Sequence, residues 1–223
     1  RGIEVHYRKL GDVPQHDSFR EALGSFLKKG SFGRVRVTQP GDYRVLQSLK
    51  AACGASGVEL EVVDDDSFYA SPREFSEHAD GRKQLRMEYF YREMRRRHRV
   101  LMDGDEPVEG KWNFDASNRK AFGKDGPERL FPRKRFSPDK LTQEVIQLVD
   151  TEFAEHPGSL ERFDWPVTRR DALQALERFI EDELPQFGAH QDAMWGGEPF
   201  LNHSLLSSSI NLKLLDPSVL SLK

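Results

Sequence analysis

Apolar positions follow two different periods along the first third of the chain, and the switches between them lay out its organisation. In Ile3-Glu4-Val5-His6-Tyr7 apolar and polar side chains alternate, as on a half-buried strand. Ser18-Phe19-Arg20-Glu21 then reads as a capping box, which predicts a helix from Phe19 to about Lys29, with Gly30 as its left-handed stop. Alternation returns in Arg34-Val35-Arg36-Val37-Thr38. Asp42 caps a second helix bearing Val45, Leu46, Leu49 and Ala52, which Gly54 to Gly57 end, and Val58 to Val63 is a third strand. Strands separated by helices imply right-handed crossovers and a parallel sheet. Three strands make half of a usual doubly wound domain, so residues 1–70 read as a partial one.

The pattern then becomes helical. Ser71-Pro72-Arg73-Glu74 marks a helix start, and the helix is expected to continue, with an irregularity at Gly81, to about Met102. Residues 103–138 hold four glycines, four prolines and few apolar side chains, which predicts a long loop. Ser137 caps a helix starting at Pro138 and carrying Leu141, Val145, Leu148, Val149 and Phe153 near helical spacing. Thr168-Arg169-Arg170-Asp171 opens another, with Leu173, Leu176, Phe179, Ile180 and Leu184 inward. After Pro185-Gln186-Phe187-Gly188 a loop and at least one buried helix are expected. The fold class is α/β followed by all-α, with divisions at 1–70, 71–138 and 139–223. Residue 1 is Arg, and Ser208 to Lys223 is still apolar and patterned, so a fragment of a longer protein is expected.

Composition narrows the class. The 223 residues are 37% hydrophobic and 32% charged with a net charge of −3, as in a soluble globular protein. No run of about 18 apolar residues exists to cross a hydrocarbon core, so no membrane partner is expected. Cys53 is the only cysteine, which excludes a disulfide framework and makes a reducing, cytoplasmic setting the default. Charge is uneven, because residues 73–140 carry 18 basic against 13 acidic side chains, a local +5. Arg92, Arg95, Arg96, Arg97 and Arg99, then Arg133-Lys134-Arg135, would attract a phosphate backbone; the alternative is a solvated helix face with a polar loop.

No Walker loop, HExxH, paired-cysteine or GxSxG motif is present. Asp64-Asp65-Asp66 follows the third strand, at the sheet edge where open α/β folds bind ligands, or else forms a polar turn. Lys111-Trp112-Asn113-Phe114-Asp115-Ala116-Ser117-Asn118-Arg119-Lys120 mixes rings, amides and cations. That mixture suits stacking on bases beside phosphates, or packing of the loop onto the helices. Phe187 to Trp195 and Phe200 to Asn211 place serines 204, 207, 208 and 209 near a helix start, where a phosphate can be cradled or the helix simply capped.

Five segments in order resemble one family: Met87-Glu88-Tyr89-Phe90-Tyr91-Arg92-Glu93-Met94-Arg95; Gly110-Lys111-Trp112-Asn113-Phe114-Asp115; Trp165-Pro166-Val167-Thr168-Arg169; Phe187-Gly188 with Gln191-Asp192-Ala193-Met194; and His203-Ser204-Leu205-Leu206-Ser207 with Ile210-Asn211-Leu212-Lys213-Leu214. The chain resembles the deoxyribodipyrimidine photolyase-related proteins, the bacterial iron–sulfur cryptochromes and (6-4) photolyases. The resemblance implies an α/β antenna domain with a lumazine-type chromophore, an interdomain connection, and a helical domain binding FAD and an iron–sulfur cluster. It implies light-driven electron donation from reduced flavin to a (6-4) photoproduct flipped out of DNA. This chain would hold the second part of the antenna domain, the connection and the first part of the helical domain.

By that resemblance His203, Ser204, Leu205, Leu206 and Ser207 are the stretch that wraps the flavin phosphates. Ser208 stands where the family has proline, and His190 where a tyrosine is usual, though histidine can still donate a hydrogen bond to the flavin. Arg95, Arg96, Arg97, Arg99, Lys111, Trp112, Asn113 and Arg119 would border damaged DNA. Cluster ligands and the groups touching the lesion fall beyond these residues, so no metal ligand or catalytic residue is assigned, and the complete protein is expected to be a monomer. A cryptochrome-like photoreceptor without repair activity is the alternative, and an α/β binding module without cofactor a third reading. Residues 1–223 alone are expected to lack catalysis and to bind FAD weakly or not at all. They are also expected to associate through apolar surface at Leu205, Leu206, Ile210, Leu212, Leu214 and Leu215.

Overall fold

Local capping decides where the first helices begin. In α1 (Phe19–Leu27) the Ser18 hydroxyl accepts from the Glu21 N–H at 3.2 Å, and the Glu21 carboxylate turns back to the Asp17 N–H at 3.2 Å. In α2 (Tyr43–Ser56) Asp42 accepts from the Arg44 N–H at 2.7 Å, and Gly57, at φ 65°, ends the helix left-handed. Strands β1 (Arg34–Thr38) and β2 (Glu59–Val63) flank α2 and pair in parallel, with Val35 opposite Leu60 and Val37 opposite Val62. Glu61 sits between Arg34 and Arg36, at 3.1 and 2.9 Å, which pins that register. α1 packs on α2, and Leu27, Ala52 and Cys53 are buried.

The computed structural model describes residues 2–115, 118–128 and 130–218, so Ala116 and Ser117 of the aromatic–amide loop and residues 219–223 of the apolar C-terminal stretch lie outside the described residues. The chain divides into two units, Arg1–Asp66 with Ser71–Ser76, and Ser67–Ala70 with Glu77–Lys223.

Two expectations for the first unit are corrected. Residues 3–7 form no strand, and Ile3, Val5 and Tyr7 are 75%, 78% and 79% exposed. Alternation supplies an apolar face, but a strand also needs a ladder partner, and among the described residues β1 and β2 pair only with each other. Nor is Gly30 a left-handed stop: α1 closes through the Lys28 N–H on the Gly24 carbonyl, and the Phe32 ring covers Gly30 so closely that a Cβ there would lie 3.0 Å from it.

The expected helix from residue 72 to 102 is two helices. In α3 (Pro72–Ala79) Ser71 and Glu74 form a reciprocal capping box at 3.3 and 2.7 Å. Gly81, at φ 67°, ends that run, and α4 (Met87–His98) begins afresh. Left-handed Arg99 and Leu101 then turn the chain into a short antiparallel pair, β3 (Met102–Asp103) with β4 (Glu106–Pro107). α5 (Lys140–Glu152) is capped by Asp139 rather than Ser137. The Asp139 carboxylate accepts from both the N–H and the hydroxyl of Thr142, at 2.8 and 2.7 Å, and Pro138 lies in front, where its missing N–H costs nothing. Thr168 caps α6 (Arg169–Arg178) as expected, accepting from the Asp171 N–H at 3.2 Å. The chain does not leave the helix at Pro185. One wide turn, Phe179–Glu183, bonds the Leu184 N–H to the Phe179 carbonyl and carries the helix past the proline into α7 (Leu184–His190).

The helical core forms where α8 (Ser207–Asn211) and the following turn fold onto α6. Ala172, Leu176, Leu206 and Leu215 are buried together, with Phe179, Ile180, Ile210 and Leu214 packed around them. The expected sticky patch is therefore mostly interior, and of its six residues only Leu212 is strongly exposed, at 65%. α5 presents an exposed apolar face, with Leu141, Val145 and Leu148 toward solvent and Phe153 just past its end. Among the described residues no helix is long and apolar enough to cross a membrane.

Leu176 is 2% exposed at the centre of this core. Leu176→Ala is expected to cost the helical unit about 2–5 kcal/mol, read as a lowered urea midpoint.

Candidate anion and cofactor site

The stretch from Leu201 to Ser207 is held in an unusual backbone. Leu201 at φ 40° and Leu205 at φ 55° are both left-handed without being glycine, a cost of about 1–2 kcal/mol each. Burial of Leu201 and Leu206 anchors the two ends. Between them Asn202 is buried and donates to Glu183 at 3.4 Å. Burial pushes the Glu183 carboxyl up, against the opposing pull of the Asn202 hydrogen bond and the Arg178 charge.

His203, Ser204 and Leu205 then line a shallow groove of about 50 Å³ that they share with Arg133, Lys134, Trp165 and Arg178. Arg133 pairs with Asp164, and its guanidinium lies 4.7 Å from the Trp165 ring centre and 5.2 Å from that of Phe200. Arg178 pairs with Asp182. Next to the groove Ser207 opens α8 without a side-chain cap, and Ser209, 1% exposed, holds a buried hydroxyl with no hydrogen-bond partner. Cations, a free serine edge and an unsatisfied buried hydroxyl fit a phosphate-bearing cofactor.

His190 opens onto a different hollow. Its ring stacks on Phe122 at 4.8 Å and 16°, and Nδ1 lies 3.3 Å from the Lys120 carbonyl. The cavity there, about 640 Å³, is bordered by Asp125, Glu128, Glu181 and Asp182, with the amides of Gln186 and Asn202. Asn202 and His203 are consecutive and line the two hollows from their shared edge. The loop docks onto α7 at a small residue: a Cβ on Gly188 would lie 3.3 Å from Asn118 Oδ1, and the Lys120 N–H reaches the Ala189 carbonyl at 2.8 Å. Gly126, at φ 83°, lets the Trp195 indole approach to where a Cβ would be only 2.8 Å away.

The basic run is partly internal. Arg92, Arg95 and Arg96 share one face of α4, and their guanidiniums lie 5.5, 5.1 and 4.5 Å from the Trp112 ring centre. Arg95, expected against DNA, is instead 5% exposed and spends its donors on the carbonyls of Val100 and Leu101. Arg97 pairs with Glu93, and Arg99 reaches the Gly104 carbonyl and Asp105. Asn113 is exposed and accepts from the Asp115 N–H, Lys111 is exposed, and Arg119 lies 3.4 Å from Asp192. Trp112 and Arg96 are thus brought together, while Arg119 is placed with the residues after α7. Cys53 is buried, which pushes its thiol up, and among the described residues no three His, Cys, Asp or Glu side chains are grouped to hold a metal.

A short parallel α/β element followed by helices defines the class: a mixed α/β and helical protein. The chain belongs to the deoxyribodipyrimidine photolyase-related family, whose profile matches residues 1–165. It is 45% identical over 216 residues to the (6-4) photolyase of Agrobacterium fabrum (strain C58 / ATCC 33970). That alignment covers 96% of this chain and 42% of the relative, so the chain spans less than half the relative's length.

Sequence reading missed Arg178 and the Arg133–Asp164 pair as neighbours of His203. The only trace was the Arg133-Lys134-Arg135 run, and nothing in it marks a partner some seventy positions on. Glu183 provides a test of the site's electrostatics. Its raised folded-state pKa means that the protonated form favours folding, with a contribution present below the ordinary value of 4.5 and lost as pH rises through the folded value. Glu183→Gln is expected to raise the thermal midpoint at pH 7 and to leave it unchanged near pH 4, as read by calorimetry.

Proposed function

We propose that this chain is part of a light-driven, FAD-dependent enzyme that repairs (6-4) pyrimidine photoproducts in DNA. The observation that carries the reading is the His203 to Ser207 stretch, set against Arg133, Lys134 and Arg178, in a chain 45% identical to a protein named (6-4) photolyase. The chemistry supplied by bound flavin is donation of an electron to the lesion after light absorption. Ser204, Ser207 and nearby amides hold the cofactor's phosphates, and the buried Ser209 hydroxyl gains its missing partner there. His190, fixed flat on Phe122 with its Nδ1–H on the Lys120 carbonyl, keeps Nε2 as an acceptor for a second contact. Arg96, Arg97, Arg99, Lys111 and Arg119 carry exposed charge toward the DNA backbone, and Trp112 holds Arg96 in place. Residues 1–70 supply part of an antenna domain for a lumazine-type chromophore, and the iron–sulfur ligands come from elsewhere in the complete protein.

The complete protein is expected to purify with flavin absorbance and to restore a (6-4) lesion oligonucleotide only under blue light. Ser204→Ala with Ser207→Ala is expected to lose most of the flavin while keeping its far-UV spectrum. Full flavin retention in that variant would overturn the cofactor assignment. Flavin binding without light-dependent repair would overturn repair in favour of a photoreceptor.

A further inference from the structure

We propose that the hollow between α1 and the C-terminal half of α2 binds a small organic phosphate, held by Arg20 and Lys28. The hollow measures about 470 Å³ and has a floor of small residues, Gly24 on α1 with Ala52 and Ala55 on α2. Nothing lies within 4 Å of where a Gly24 Cβ would stand, so the space over it is open. The hollow adjoins the end of α2 that leads into β2, whereas open α/β folds take their usual ligands at the carboxyl ends of the strands. A ligand here is additional to the flavin proposed for the helical unit.

Charge and hydrogen-bonding capacity around this floor are left unspent. Arg20, Gly24 and Lys28 recur every fourth residue, which sets the two cations on one helix face, about 12 Å apart along the axis, on either side of the bare glycine. Neither side chain has a hydrogen bond or ion pair among the described residues. Other arginines of the α/β unit do: Arg34 and Arg36 meet Glu61, and Arg44 meets Asp42. The one acid on the wall, Glu21, already accepts from the Asp17 N–H at 3.2 Å and is outnumbered by the two cations. His16, on the same wall, holds a buried Nε2 with no hydrogen-bond partner, a state that folded proteins rarely leave uncompleted. Ser25 and Ser56, both half-buried, add two hydroxyls. A carboxylate has two oxygens and one charge, whereas a phosphate monoester has three terminal oxygens and close to two charges, and it matches this larger set of donors. The small floor leaves room for the ester's organic body.

The test is an NMR titration of the full chain with phenyl phosphate, with phenol, which has the body without the anion, and with benzoate, which has a carboxylate in its place. Phenyl phosphate is expected to bind and to shift the amide resonances of residues 20–28, and phenol and benzoate to bind at least tenfold more weakly. Arg20→Gln and Lys28→Gln are each expected to weaken phenyl phosphate about tenfold, the size of one lost charge-assisted contact. Both side chains are exposed, so these variants keep the parent's far-UV spectrum. Gly24→Leu fills the floor without changing any charge, at a helical position that accepts a side chain, and is expected to abolish binding. Arg44→Gln, which removes an arginine already paired, is expected to leave it unchanged. Phenyl phosphate that does not bind, that binds Gly24→Leu as tightly as the parent, or that is weakened as much by Arg44→Gln as by Arg20→Gln overturns the site, and benzoate binding as tightly as phenyl phosphate overturns the phosphate assignment. If Ser204→Ala with Ser207→Ala loses phenyl phosphate while Gly24→Leu keeps it, this site falls and the cofactor assignment stands. If Gly24→Leu loses it and the complete protein takes no flavin, this site stands and the flavin reading falls.

Discussion

An arginine lying against two aromatic rings organises the helical unit. Among the described residues from 108 to 138 the chain has little ladder or helix, and beyond the Lys120 bond to the Ala189 carbonyl it is Arg133 that attaches it again. Asp164 accepts a hydrogen bond from the Arg133 guanidinium, the Asp164 carbonyl accepts the Phe136 N–H at 3.1 Å, and Trp165, next in the chain, and Phe200, from a further segment, lie against the cation. Both charged side chains are only 16% exposed. A pair this enclosed adds little over a well-packed apolar substitute, but removing one partner strands the other and costs about 3–5 kcal/mol. What the pair contributes is position. It brings the loop, the entrance to α6 and the strained turn at residues 200–205 to one place, and the groove exists because those three meet.

How much of this could be read from the amino-acid order depends on the range of the interaction that fixes each part. Ser18, Asp42, Ser71 and Thr168 cap helices within three residues of themselves, and each does so as expected. β1 and β2 were also legible, because β-branched residues and a glycine-ended helix between them leave one arrangement. Residues 3–7 were misleading because alternation is local and pairing is not. The helix break after Ala79 turns on the left-handed conformation of Gly81, and the continuation past Pro185 on a single wide turn; neither has a periodic signature. Ser204 stood out in the serine run near a helix start, and His203 only through resemblance. Their neighbours Arg133 and Arg178 were not, since packing across many positions leaves no mark in spacing.

The concentration of positive charge in the middle of the chain divides into two kinds once it is folded. Arg92 and Arg95 are construction material, laid along one α4 face against an indole, where Arg95 also closes the backbone of the turn that follows, while Arg96 touches the same indole from an exposed position. Such cations stiffen the surface from beneath and hold the exposed ones at fixed spacing. A polyanion meeting this region would find fewer free charges than the sequence count offers, but better ordered ones. Counting arginines therefore overstates the number of side chains free to contact a ligand directly.

Cys53, the single thiol of these 223 residues, lies at 1% exposure inside α2 of the α/β unit, and burial suppresses its ionisation. A thiol reagent in solution can reach it only when that unit opens. Its labelling rate is therefore a clock for sub-global opening of the α/β unit, blind to fluctuations of the helices of the other unit. The fold has left itself a built-in reporter through which the breathing of the α/β unit can be timed apart from that of the helices.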